Sequence, residues 1–117
     1  VQHDYKPKSL IKMNNKLQST YPRKNWSSLM LFNCEHLSCK KLTLENVNTK
    51  SGSWLHQMKW CENNEIENLD KTYNYLVGYY DFPNPKAVHF TDGGPWHSEY
   101  ENVDFSEEWL SYKNLIT

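Results

Sequence analysis

The sequence predicts a mixed α/β fold: a few-stranded mixed sheet with flanking helices, organised as one domain over residues 1–117. Three observations carry this. Apolar runs near 29–32, 75–80 and 87–90 have strand length and end in polar or turn-forming residues. Between and after them, Thr43, Ser53 and Ser106 open segments with helix-capping chemistry. A chain of 117 residues with 38% hydrophobic content buries one modest core, not two.

Residues 1–24 are polar, with Lys6, Lys8, Lys12, Lys16, Arg23 and Lys24 reading as a solvated face. A short helix over 9–16 is the one regular element they admit, because Asn14-Asn15 and Tyr21-Pro22 break anything longer. Residues 26–34 are the most apolar stretch and are expected to form a buried central strand. A connector over 35–41 follows. Thr43 then caps a short helix that stops at Ser51-Gly52. Ser53 is expected to cap a second helix, with Trp54, Leu55, Met58 and Cys61 on one face and Asn63-Asn64 at its end. Residues 73–80 read as a strand with a bulge at Gly78, and 87–90 as another. Ser106 caps a last helix, with Glu107 and Glu108 at its positive end and Trp109, Leu110 and Leu115 packed inward.

Composition narrows the function classes. The formal net charge of −1 offers no basic field for nucleic acid. Five Trp and eight Tyr suit a core with wet edges, or a surface that stacks on flat ligands. Cys34, Cys39 and Cys61 cannot all pair within the chain and have no C-x-x-C spacing. Cys34 and Cys61 are read as buried small hydrophobes, and the set as belonging to a reducing, cytoplasmic compartment. No apolar run has the length of a membrane span, and no signal-peptide core is evident. The start at Val1 is read as that of a partial reading frame.

The richest stretch is 89–96. A strand ending in His89 runs into Asp92-Gly93-Gly94-Pro95 and Trp96. Two glycines permit positive φ and close backbone approach. Histidine, carboxylate, bare amides and an indole on one loop could grip a phosphate or a sugar, with or without a metal. The same residues also suit a structural turn anchored by Trp96.

Taken in order, residues 21–33, 55–60, 73–78 and 89–96 resemble the C-terminal half of GT-A-fold glycosyltransferases akin to family 8, nearest to a little-described bacterial group. The resemblance runs over roughly residues 1–110. It implies a partial GT-A-like fold, the acceptor-side part of an enzyme whose N-terminal nucleotide-binding part is absent. It also implies a manganese or other divalent ion with His89 as one ligand. Gly93 and Gly94 would lie on the diphosphate, and Gln57, Asp92 and Trp96 near acceptor or sugar. Its partners would be a nucleotide-sugar and a carbohydrate acceptor. The chain departs from the pattern. Trp26 stands for asparagine, Ser28 for glycine and His56 for aspartate; the loop is one residue short and lacks the phosphate-binding lysine, and there is no Asp-x-Asp. A chain with half a metal site is expected to be inactive alone. The competing expectation is a non-catalytic carbohydrate-binding or interaction module, a homo-oligomer that covers its own exposed edges.

Overall fold

The computed structural model describes residues 1–116. The fold is small and mixed: the described residues form three short helices, two two-stranded sheets and several 3-10 turns. Instead of one central sheet, the strands form an antiparallel pair, β1 (Ile11–Lys12) with β2 (Lys16–Leu17), and a parallel pair, β3 (Tyr75–Leu76) with β4 (Val88–His89). The chain divides into two compact units, Val1–Tyr5 with Thr20–Lys71 and Lys6–Ser19 with Thr72–Thr117.

In the first unit, α1 (Leu44–Thr49) starts where its cap chemistry says it should: Thr43 Oγ1 accepts from the Asn46 amide at 3.1 Å. The second helix, α2 (Gly52–His56), is capped by Ser51 rather than Ser53, with the Trp54 amide donating to Ser51 Oγ. It also ends early. Met58 takes φ +50, so the apolar face expected on one helix is split between α2 and the turn beyond it. Met58, Trp60 and Cys61 still form the buried cluster, with Trp26, Trp54, Cys39, Leu42 and Ile66 packed against it.

That turn is held by Arg23. One guanidinium nitrogen donates to the carbonyls of Gln57 (2.9 Å), Met58 (2.7 Å) and Cys61 (3.2 Å), and the other to Asn63 Oδ1 (2.6 Å). Lys24 beside it is buried, its ammonium 5.6 Å from the Tyr5 ring centre and 5.3 Å from that of Tyr21. His3 is buried too, and its carbonyl accepts from Trp26 Nε1.

Residues 26–34 do not form a central strand. Left-handed backbone at Arg23 and Asn25 folds Trp26–Ser28 into a 3-10 turn. Leu29 is extended, but residues 29–34 join no sheet, and their side chains are exposed. Cys34 is therefore exposed rather than buried.

In the second unit the helix expected over 9–16 is a hairpin. Asn14 (φ +58) and Asn15 (φ +53) turn it, and asparagine tolerates that region better than most residues. β3 lies at the centre, with Tyr75, Leu76 and Val77 all buried, as a parallel ladder requires. The Tyr75 ring meets Phe82 and Phe105 edge-on at 4.9 and 5.2 Å. Gly78 ends the strand at φ +79; it is a turn, not a bulge. The last helix, α3 (Ser106–Leu115), has Phe105 at its N-cap in left-handed backbone, so Ser106 is its first residue, and its hydroxyl donates back to the Val103 carbonyl. Trp109 packs; Leu110 and Leu115 are exposed. Among the described residues, no helix is long and apolar enough to cross a membrane.

Candidate functional site

The loop over 89–96 leaves the end of β4 in the second unit. The Asp92 carboxylate faces its own unit: Tyr79 OH donates to it at 2.7 Å and Gln18 Nε2 at 3.5 Å, while the Asp92 carbonyl accepts from the Met13 amide. Gly93 and Gly94 are buried, and neither has positive φ. They are needed for close approach. A Cβ on Gly93 would stand 2.5 Å from the Tyr100 ring, and one on Gly94 would stand 2.2 Å from the Trp96 ring. Trp96 is half exposed, edge-on to Phe90 at 5.8 Å and 5.4 Å from Trp109. The glycine backbone is thus sheathed by aromatic rings.

His89 faces inward, with Nδ1 buried and without a hydrogen-bond partner. No three His, Cys, Asp or Glu side chains among the described residues are grouped to hold a metal ion. His89 thus lacks the companion ligands a divalent site needs. Burial lowers the imidazole pKa from its ordinary 6.5, and the Lys12 ammonium lowers it further. Protonation thus favours the unfolded chain. The stability associated with neutral His89 is whole above 6.5 and declines as pH drops from there to the lowered folded value. A urea midpoint measured from about pH 7 to about pH 5 should fall in the native protein and fall less in His89→Gln. Parallel curves would refute this role for His89. Glu65 acts in a separate, more acidic window, since the Glu62 amide and then the Ser38 hydroxyl hold its carboxyl below the usual range.

Gln57 belongs to the first unit. Its side chain donates to Ser53 Oγ at 2.9 Å and its carbonyl is one of the Arg23 acceptors. That unit holds an open cavity of about 400 Å³, which the sequence did not signal as a site. Its lining is mainly apolar, including Trp26, Met30, Phe32, Trp60 and Ile66, with Gln2, His36 and Glu65 among its polar residues, and the Phe32 ring stacks on Trp60 at 6.0 Å. Leu31 is 83% exposed and Phe32 40%. No hydrogen bond among the described residues involves the backbone of Met30, Leu31 or Phe32. The apolar run was legible; its lack of a covering strand was not.

Among curated proteins, the chain is 44% identical over 117 residues to one from Arabidopsis thaliana. The similar protein is named Protein CDI. The match takes in 95% of this chain and 45% of Protein CDI, so the chain spans a little under half the length of that relative. No family model matches the chain, and no solved structure matches it.

These findings overturn the glycosyltransferase reading. Protein CDI is not named a glycosyltransferase, it comes from a plant rather than a bacterium, and no GT-A structure matches. The resemblance rested on short motifs, and the stretch aligned with the family's strand is a 3-10 turn followed by unpaired chain. The sugar-transfer activity, whether whole or lost by truncation, goes with it.

Proposed function

We propose that the chain is a docking module that takes an extended apolar polypeptide segment along residues 29–33. The observation that carries this is the combination at Met30, Leu31 and Phe32: large apolar side chains in the open and backbone groups without protein partners. An added strand would pair with those groups and place alternate side chains against Trp26 and Trp60. Full burial of one Leu or Phe side chain yields about 1.5–3 kcal/mol, and this gain together with the added-strand hydrogen bonds is what offsets the cost of association. A small polar ligand suits the cavity less well, because its walls are mainly aliphatic and aromatic.

The test is selection from a displayed library of random short peptides. The native protein should enrich sequences with large apolar residues at alternate positions. Leu31→Asp, checked by circular dichroism to be folded, should bind the selected peptides at least tenfold more weakly, in line with a buried charge opposite apolar contacts. No enrichment, or equal binding by Leu31→Asp, would refute the reading.

A further inference from the structure

The β1–β2 hairpin of the second unit has a charge pattern and an exposed apolar pair at its open end that the docking module does not use. Residues 6–19 carry four lysines and no carboxylate, whereas residues 72–117 of the same unit carry seven carboxylates and two lysines. The unit is therefore electrically polarised, with the hairpin as its basic part. Within the hairpin, Lys12 lies directly opposite Lys16. Like charges so paired disfavour the hairpin, and neither lysine has an ion-pair partner among the described residues. An anionic surface would remove that repulsion.

The second half of the pattern is apolar. Ile11 lies opposite Leu17, and the two are 52% and 82% exposed; Leu10 beside them is exposed as well. Alternation along the strands sets the Ile11–Leu17 pair on one face of the ribbon and the Lys12–Lys16 pair on the other. A two-stranded ribbon is narrow, and a lysine stem is long enough to bring its ammonium to the level of the apolar edge. Lys8 is fastened nearby, its ammonium donating to the Gly78 carbonyl.

We infer that this hairpin is a membrane-surface contact: Leu10, Ile11 and Leu17 enter the headgroup region of an anionic bilayer while Lys12 and Lys16 meet its phosphates and carboxylates. The charge complementarity selects an anionic partner. The three exposed aliphatic side chains select a lipid interface over a dissolved polyanion, which would leave them in water. The contact is peripheral.

Sedimentation of the full chain with vesicles tests this. Partition onto phosphatidylcholine vesicles containing a third phosphatidylserine should exceed that onto phosphatidylcholine alone by tenfold or more, and should fall with added salt. The double variant Lys12→Gln/Lys16→Gln should lose that preference. The double variant Ile11→Ser/Leu17→Ser, which keeps every charge, should bind anionic vesicles at least tenfold more weakly. Equal partition onto the two vesicle types would overturn the inference. So would undiminished binding by the serine variant, an outcome that would assign the lysines to a dissolved polyanion, with polyphosphate as the probe.

Discussion

Leu76→Ala is expected to cost the second unit about 3 kcal/mol, within the usual range of about 2–5 for a buried leucine. Leu76 is the most deeply buried large side chain, at 1% exposure, and sits between Tyr75 and Val77 in the parallel pair with β4. Its carbonyl also receives the Tyr79 and Tyr80 amides, which close the turn at Gly78. The backbone there is therefore held in place and cannot collapse into the space left by the missing methyls. The cost should appear as a lower urea midpoint with an unchanged slope. Leu115→Ala, at an exposed position near the end of α3, should change the unfolding free energy by less than about 0.5 kcal/mol. Similar losses at both positions would contradict the assignment of the core to β3.

Arg23→Ala is expected to cost the first unit about 2–4 kcal/mol. Hydrogen bonds from a charged donor are worth about 1.5–3 kcal/mol each, and the bonds Arg23 makes share one guanidinium, so they do not add in full. Three of the acceptors are main-chain carbonyls around Met58, whose left-handed backbone needs external support. Without Arg23 those carbonyls must find water beside the Met58–Trp60–Cys61 cluster. Arg23→Lys should recover less than half of the loss, since a point-like ammonium cannot reproduce the fork. Urea unfolding of the three proteins decides it; a lysine variant as stable as the native chain would show that the planar geometry does not matter.

These two residues also mark what the sequence could convey. The Thr43 cap was readable because its chemistry is local, needing only the amide three residues on. The strand through Tyr75 and Leu76 was readable because its apolar run is bounded by turn residues, although only two residues of it are paired. The hairpin at Asn14-Asn15 was encoded as well, since that dipeptide favours left-handed backbone as much as it breaks a helix. Met58 and Phe105, by contrast, adopt positive φ with side chains that carry no such preference, so the ends of α2 and α3 were hidden. The misreading of residues 26–34 has another origin: an apolar run says that a surface is to be covered, but not by what. At 89–96 the sequence suggested freedom at Gly93 and Gly94, whereas the structure uses their smallness under Tyr100 and Trp96.

The order in which the two units take up the polypeptide has a consequence for its synthesis. The chain enters the first unit, leaves after Tyr5, contributes residues 6–19 to the second, returns at Thr20, and departs again after Lys71. On the ribosome, the first unit can close once Lys71 has emerged. The β1–β2 hairpin must wait, unsupported, for a stretch some fifty residues further on, a delay that costs little in loop-closure entropy but leaves the hairpin open to chaperones and proteases. No single cut of the chain separates the two units.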